Sequence, residues 1–334
     1  MDNSLGNKIL IIAPAWIGDA VMAISLYQSI KLQDPNCKIT IVAPIATADL
    51  HHCMPSIDQV IPIELTRGKL ELKKRMHFAK AMRSAQFDIA YVLPNSWKSA
   101  LIPYFAKIPI RIGWLGEQRY GLLTIKQKLD KNKLPLMVQR YAALAHLDSS
   151  SWDKNNYPIP RMIASNLAQK QQAKQIIAIC PGAAYGPSKR WPVEHFAQVA
   201  KYAVEHDMSV WLFGSKQDLS ACHEINLFTN SRCNDLSGKT SLIEMINLLA
   251  ATDQVIANDS GLMHVAAALD KKVIAIYGST SSTKAPPLSN KADIFSLEDL
   301  YCKPCGKREC PLKGDENLQC LRKIAPEAII SKLK

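Results

Sequence analysis

The chain has 334 residues, of which 48% are hydrophobic and 21% charged, and this composition excludes a disordered, collagenous or low-complexity protein. Its length exceeds what one hydrophobic core usually supports and favours two domains of about 150 residues each. The net charge of +12 is uneven, because residues 1–165 hold 21 Lys and Arg against 12 Asp and Glu. We expect this half to face an anionic partner: nucleic acid, a lipid surface or a phosphorylated substrate.

The amino-terminal region does not resemble a membrane span or a secretory signal. Its apolar stretch, residues 9–17, is far shorter than the roughly 20 residues that a span needs, and Asp19 follows it. The cysteine count of nine is odd. Five cysteines are scattered through strand-like or helix-like segments, as buried free thiols are in reducing compartments. They are Cys37, Cys53, Cys180, Cys222 and Cys233. We therefore expect a cytoplasmic protein.

Short β-branched runs alternate with helical patterns through the first half. The first run, 8–13, leads through a Pro-Ala-Trp-Ile-Gly loop to a helical pattern over 19–32. Similar runs follow at 38–43, 59–63 and 88–93. Because these runs lack polar alternation, they indicate a parallel sheet that is covered on both faces.

The periodic pattern weakens over 147–173, where we place the linker between two domains, 1–165 and 166–325. Alternation then resumes, and the second half is predicted to be another doubly wound α/β domain. Residues 326–334 are predicted to form a closing helix. The strand-like runs of the second half are 176–180, 209–213, 253–257 and 272–277.

Asp19 lies where the loop after the first strand gives way to a helix. A carboxylate at this position points towards the ligand-binding edge of an α/β sheet, where it could act as a general base. The simpler interpretation is an N-cap, which Asp fills well. The two are compatible, because a helix amino terminus keeps a carboxylate ionised.

The segment ANDSGLMH, residues 257–264, follows a predicted strand and opens a predicted helix. Its small residues leave backbone amides free, so a phosphate could sit at the helix start with Ser260 adding a hydroxyl. Alternatively, Asn258 to Ser260 simply cap the helix and His264 is an ordinary buried histidine. The sequence leaves both interpretations open.

Two more loops have the same strand-to-helix setting. In PGAAYGPSKRWP, residues 181–192, the adjacent cations Lys189 and Arg190 precede a helix, whose dipole they oppose unless an anion binds between them. A diphosphate would satisfy them, and a solvated Lys–Arg pair is the alternative. In FGSKQD, residues 213–218, Gly214 is expected to flank a nucleotide base or ribose.

Residues 67–83 hold seven Lys and Arg and one Glu. Within them Leu72, Met76, Ala79 and Met82 keep helical spacing, which predicts a basic amphipathic helix. We expect its apolar side to pack on the core and its basic side to be solvated, and a helix lying on a membrane surface is the alternative.

Four of the nine cysteines lie within nineteen residues in the pattern C-x2-C-x4-C-x9-C. Thiolates at this density suggest a structural zinc site, although the second pair lacks CxxC spacing. Reduced thiols, a disulfide and an iron–sulfur cluster are the alternatives. The four are Cys302, Cys305, Cys310 and Cys320.

The segments AWIGDAVMA, PGAAYGPSKRWP, FGSKQD, SGKTSLIE and ANDSGLMHVAAAL together resemble glycosyltransferase family 9. The resemblance implies a GT-B type α/β fold, with two Rossmann-like doubly wound domains facing across a cleft. The acceptor would bind the amino-terminal domain and the nucleotide sugar the carboxyl-terminal one, and the closing helix would return to the first domain. Asp19 matches the general base and Lys189 the diphosphate-binding lysine. The donor-binding residues would further include Gly214, Asp259, Ser260, Gly261 and His264.

The resemblance also implies the reaction. Heptose would pass from ADP-heptose, with inversion, to the first heptose of the lipopolysaccharide inner core on a heptosylated Kdo2-lipid A type acceptor. Since the chain has no Asp-x-Asp, no catalytic cofactor is expected. The protein would be peripheral on the cytoplasmic face of the inner membrane, with Lys69, Lys73 and Lys74 as acceptor-binding candidates.

Two alternatives stay open on the sequence. A sibling enzyme of the family, adding the first or a later heptose, would carry nearly the same donor motifs. A nucleotide-sugar or nucleic-acid binding protein without turnover is the alternative of a different class, although we expect no nucleic-acid partner. A nucleic-acid binder would show steep salt dependence and no preference for ADP-sugars.

Overall fold

The structure is a computed structural model that describes residues 8–66, 68–146, 152–164 and 174–333. It divides into two compact units, 1–161 and 162–334. The predicted boundary between 165 and 166 falls in 165–173, outside the described residues, as do 147–151 of the predicted linker.

The first unit is built on a six-stranded parallel sheet with the order β3-β2-β1-β4-β5-β6. Its strands are β1 Lys8–Ile12, β2 Lys38–Pro44, β3 Gln59–Ile63, β4 Ile89–Val92, β5 Ile110–Trp114 and β6 Ile125–Gln127. Its helices are α1 Ile17–Met22, α2 Ile24–Gln33, α3 Ile45–Ala48, α4 Leu72–Met82, α5 Leu101–Phe105 and α6 Met137–Ala142.

The second unit repeats this topology with the order β12-β11-β10-β7-β8-β9, again all parallel. Its strands are β7 Ile176–Cys180, β8 Ser209–Leu212, β9 Asn234–Asp235, β10 Gln254–Asn258, β11 Lys272–Tyr277 and β12 Ala292–Ser296. Its helices are α7 Val193–Glu205, α8 Leu219–Phe228, α9 Leu242–Ala251, α10 Gly261–Ala268, α11 Gln319–Arg322 and α12 Pro326–Ile330.

The burial of the strands explains why their sequences show no polar alternation. All five residues of β7 and of β10 are buried, as are the last four of β1. A strand covered on both faces needs apolar residues at every position. The prediction of two doubly wound parallel domains is therefore confirmed, and each unit has the strand order of a Rossmann-like fold.

The closing helix packs on the core of the second unit. Its residue Ile329 belongs to the core of the second unit, together with Phe196 of α7. The Trp191 indole donates a hydrogen bond to the Ile324 carbonyl at 3.0 Å, and the Gln254 amide donates to the Lys332 carbonyl at 3.1 Å. The apolar face of α12 is therefore buried in the second unit, and the return of this helix to the first domain stays a prediction.

A search of the described residues for a membrane-spanning helix, one both long and apolar enough to cross a bilayer, finds none.

His51 gives the first unit a testable pH dependence. The side chain is fully buried, and among the described residues neither ring nitrogen has a hydrogen-bond partner. Burial, and secondarily the charge of His52, lowers the His51 pKa to about 4. The unfolded chain, with an ordinary histidine pKa near 6.5, therefore binds a proton that the folded chain resists. The contribution that neutral His51 makes to the free energy of unfolding is fully present above about pH 6.5 and is lost as the pH falls towards 4.

The free energy of unfolding should fall less on acidification in His51→Leu than in wild type. We expect the difference to reach up to about 3 kcal/mol between pH 6.5 and 4. The measurement is urea unfolding across this pH range. His77→Leu is the matched control, because His77 is exposed on α4 of the same unit, away from His51, and its loss should leave the slope unchanged. Equal slopes in wild type and His51→Leu would contradict the assignment.

Candidate functional site

In each unit the chain order places one crevice at the carboxyl edge of the sheet. In the second unit β7 lies beside β10, and from these two strands the chain proceeds to opposite sides of the sheet. The loops that leave two such strands diverge, so ligands of α/β proteins bind between them. The loop after β7 is 181–192, and the loop after β10 begins at Asp259. This position, where the strand order reverses direction, is the switch point of the sheet. Both motifs predicted to bind the donor lie there.

An ion pair joins these two loops. The Lys189 ammonium lies 2.6 Å from Oδ2 of Asp259, and their side chains are only 14% and 8% exposed. The Thr280 hydroxyl, beyond the end of β11, donates to the same oxygen at 2.5 Å. Three strand ends therefore meet at one carboxylate, and the structure brings together two of the predicted site residues. Thr280 was not predicted.

The first turn of α10 provides a site for an anion. Ser260 is the N-cap of this helix, yet its side chain makes no capping bond and its buried hydroxyl has no partner among the described residues. Gly261 opens the helix, whose first amides have no intrahelical acceptor. The free amides, the orphaned hydroxyl and the nearby Lys189 are the groups that bind phosphate.

His264 is 5% exposed, one turn into α10. Burial lowers its pKa to about 4, with Asp259 raising and Lys189 lowering it to a smaller extent. The imidazole is therefore neutral at physiological pH and adds no positive charge to the site. Any contribution it makes is a hydrogen bond.

Lys189 and Arg190 do not form a solvated pair of cations. Arg190 turns to a different carboxylate, Asp218, at 3.5 Å. Asp218 also accepts hydrogen bonds from the backbone amide and hydroxyl of Ser215, at 2.9 and 2.7 Å. A Cβ on Gly214 would lie 2.8 Å from that of Asp218, so Gly214 is needed for this close packing. The predicted Gly214 therefore supports Asp218 in the loop after β8.

Ser188 holds the Lys189 loop in place, a role that the sequence did not predict. Its hydroxyl, on a side chain 1% exposed, donates to the Lys307 carbonyl at 2.5 Å and is hydrogen-bonded to the Ser279 hydroxyl at 2.9 Å. Its backbone amide donates to Arg308, and its carbonyl accepts from Ser279. The Lys189 loop is thus tied both to segment 302–310 and to the turn that carries Thr280.

The four clustered cysteines line one small cavity beside Ser188. All are free thiols, and no group of three potential ligands among the described residues, which include all four, is arranged to hold a metal ion. Cys320 is 8% exposed and packs in the apolar core, while Cys310 accepts a hydrogen bond from the Leu318 amide at 3.3 Å. The structure therefore does not support the predicted zinc site, since Cys320 is used in core packing and Cys310 in a local hydrogen bond.

In the first unit the switch point lies between β1 and β4. Asp19 is the third residue of α1, which follows β1, and it is partly exposed. Trp16 rather than Asp19 occupies the N-cap position, so the capping interpretation of Asp19 is wrong. A hydrogen bond joins Asp19 to the hydroxyl of Tyr141. Burial, and after it the charge of Asp19, raises the pKa of Tyr141 well above its usual value. Tyr141 was not predicted.

The basic helix is shorter than predicted. It begins at Leu72, so Lys69 precedes it, Lys73 and Lys74 lie in its first turn, and Arg67 lies outside the described residues. Lys69, Lys73 and Lys74 are exposed, and Lys74 pairs with Glu71 at 2.9 Å. All three lysines belong to the first unit, whereas Lys189 belongs to the second.

A family model described as glycosyltransferase family 9 (heptosyltransferase) matches residues 75–315, well over half of the chain. The chain belongs to this family. It is therefore a glycosyltransferase, and its two Rossmann-like units are those of the GT-B fold seen in solved members.

Curated relatives match along nearly the whole length. Lipopolysaccharide heptosyltransferase 2 of Salmonella typhimurium is 40% identical over 98% of this chain and 97% of its own. Lipooligosaccharide heptosyltransferase 2 of Haemophilus influenzae is 41% identical over 98% of both chains. Among solved structures, ADP-heptose lps heptosyltransferase II of E. coli is 37% identical, with a TM-score of 0.85 over 97% of this chain and 96% of its own.

Proposed function

We propose that this family 9 enzyme transfers heptose from ADP-heptose to a heptose of the lipopolysaccharide inner core. Full-length relatives near 40% identity that are named lipopolysaccharide heptosyltransferase 2 support this reaction. The observation that carries the donor half of the proposal is the Lys189–Asp259 pair beside the amino terminus of α10. A nucleoside diphosphate sugar needs such a site for its two phosphates.

The donor site is assigned to the second unit. The diphosphate would accept hydrogen bonds from Lys189, from the first amides of α10 at Gly261 and from the Ser260 hydroxyl. These donors offset the charge that develops on ADP as it departs, so the residues themselves meet the need for which other transferases use a metal ion. Asp259, fixed by Lys189 and Thr280, holds the ammonium in place. His264 and Gly214 would line the sugar or nucleoside side of the same crevice.

The acceptor site is assigned to the first unit, with Asp19 as the general base. In a single displacement, the acceptor hydroxyl oxygen bonds to the anomeric carbon as the bond from that carbon to ADP breaks. The hydroxyl proton passes to Asp19. One displacement inverts the configuration of the anomeric carbon. Tyr141 holds the carboxylate in position through its hydroxyl. Lys69, Lys73 and Lys74 would attract the phosphate groups of the acceptor.

The acceptor that this reaction requires is built on a lipid. The enzyme would therefore work at the cytoplasmic face of the inner membrane as a peripheral protein. ADP-heptose and the heptosylated Kdo2-lipid A type acceptor are the partners proposed.

Asp19→Asn tests the proposed base. The amide keeps the size of the side chain but does not accept a proton, so turnover should fall about 100-fold or more while ADP affinity changes little. The measurement is heptose transfer together with calorimetric ADP binding. Asp130→Asn, at an exposed carboxylate of the same unit, serves as control and should keep normal turnover. Near-normal turnover of Asp19→Asn would refute the role.

Lys189→Ala tests the donor site. Loss of a charge-assisted contact to the diphosphate should weaken ADP binding by about 2 kcal/mol, or about 30-fold. Lys201→Ala removes a half-exposed lysine of the same unit and should leave the affinity unchanged. If both variants bind ADP as wild type does, the diphosphate site is misassigned.

A double-mutant cycle with Ser188→Ala extends this test. If Ser188 acts by holding Lys189, its removal should weaken ADP binding in wild type but have little further effect in Lys189→Ala. Thr252→Val deletes another buried hydroxyl, at the opposite edge of the same sheet, and controls for general loosening. Equal losses from Ser188→Ala in both backgrounds would mean that Ser188 acts independently of Lys189.

A further inference from the structure

Helix α4 carries an apolar stripe that is not part of the core. Ala79 and the partly buried Met82 pack on the core of the first unit, but Leu72 and Met76 are 40% and 46% exposed. At about 100° per residue, Leu72 and Met76 lie side by side on the helix, next to the core-facing side. The expectation that all four residues form one buried face is wrong, because only the later turns of α4 reach the core.

Two loops extend this stripe. The Arg75 guanidinium, 6% exposed, donates to the carbonyls of Leu70 and Lys98 at 2.7 and 3.1 Å. It therefore holds the loops before α4 and after β4 against the start of the helix. Leu70 is 37% exposed, and Trp97 in the second loop is 41% exposed. We define the α4 surface as Leu70, Leu72, Met76 and Trp97 with the neighbouring lysines Lys69, Lys73 and Lys80.

The charge around the apolar residues is positive. All three lysines of the α4 surface are exposed. The one carboxylate within 68–83, Glu71, accepts from the Thr66 amide at 2.6 Å and pairs with Lys74 at 2.9 Å. Glu71 is therefore neutralised locally. The Glu117 carboxylate accepts from the Trp97 amide at 3.1 Å, but the three lysines leave the surface with a net positive charge, which is complementary to an anionic partner. A soluble protein gains nothing from exposing Trp, Leu and Met together unless a partner covers them.

The position of the α4 surface fits the proposed reaction. Its loops follow β3 and β4, and Asp19 follows β1. Because all six strands are parallel, these loops lie at the same edge of the sheet. A molecule anchored at the α4 surface would therefore be held at the edge that carries the proposed base.

We propose that the α4 surface docks the enzyme on an anionic lipid bilayer, with its apolar side chains in the interfacial region and its lysines at the headgroups. Trp, Leu and Met gain free energy at this depth, and each lysine adds attraction to anionic lipid. A nucleic acid would use the lysines but leave the apolar residues uncovered. The inference rests on the proposed function only in taking the acceptor to be lipid-linked.

Vesicle co-sedimentation of the full chain tests this surface. The enzyme should bind vesicles of phosphatidylglycerol and phosphatidylethanolamine and show little binding to phosphatidylcholine alone. Leu72→Ser with Met76→Ser should lower the partition coefficient at least about fivefold, and Lys73→Glu with Lys80→Glu should do the same. Leu227→Ser with Phe228→Ser is the matched control, because these residues of the second unit are 57% and 50% exposed. The control should change binding less than about twofold. Thermal unfolding of each variant verifies folding.

Three results would overturn the proposal: no binding of wild type to anionic vesicles, equal binding to phosphatidylcholine, or unchanged binding of the Leu72→Ser and Met76→Ser variant. Activity separates this inference from the reaction itself. The Leu72→Ser and Met76→Ser variant should transfer normally to a water-soluble, deacylated acceptor and at least about fivefold more slowly to the same acceptor in vesicles. A wild type that binds anionic vesicles but transfers no heptose would refute the reaction and leave the docking surface standing.

Discussion

The ion pair between Lys189 and Asp259 organises the second unit around its switch point. A nearly buried pair contributes little net stability, because desolvation of both charges offsets their attraction. The ion pair instead fixes the positions of the loops that carry it. Asp259 follows β10, Lys189 belongs to the loop after β7, and Thr280 follows β11. One carboxylate oxygen, which accepts from both Lys189 and Thr280, therefore sets the spacing of three strand ends.

Segment 302–310 helps to hold the Lys189 loop in a fixed conformation. A lysine on a glycine- and proline-rich loop would lose conformational entropy on binding an anion, unless the loop were already fixed. Ser188 fixes it through bonds to Lys307, Arg308 and Ser279. A Cβ on Gly278 would lie 2.5 Å from the Ser188 carbonyl, so the contact also needs a glycine. The cysteine-bearing segment thus acts on the site through its backbone carbonyls rather than through its thiols.

Sequence reasoning succeeded where the signal is local. Buried parallel strands have a recognisable composition, and strand–loop–helix junctions locate the carboxyl edge of a sheet. The positions of Asp19, Lys189 and Asp259 at such junctions were therefore predicted with the fold, while their roles stay predictions. The capping box of Ser241 and Glu244 at the start of α9 is a signal of this kind, since it depends on neighbouring residues alone. Interactions between distant segments were missed. Ser188 bonds to a carbonyl 119 residues away, and Tyr141 meets Asp19 only after the sheet has formed.

The features that the sequence did not predict depend on similar contacts between distant segments. Cysteine spacing gives the density of thiols along the chain but not their directions, and one of the four faces the apolar core. Helical spacing groups Leu72 with Ala79, but it does not tell how many turns of α4 the core covers. The destination of α12 depended on which unit offered an apolar groove, and α7 does so within the second unit.

The proposed enzyme uses two switch points, one with a carboxylate base and one with a diphosphate site, to transfer heptose onto an existing heptose. The most direct measurement is ADP release from ADP-heptose with two truncated lipopolysaccharide acceptors, one carrying a single heptose and one carrying none. We expect rapid ADP release with the heptosylated acceptor and only background release with the other or with no acceptor. Equal release with the heptose-free acceptor, or release that no acceptor stimulates, would refute the proposed reaction.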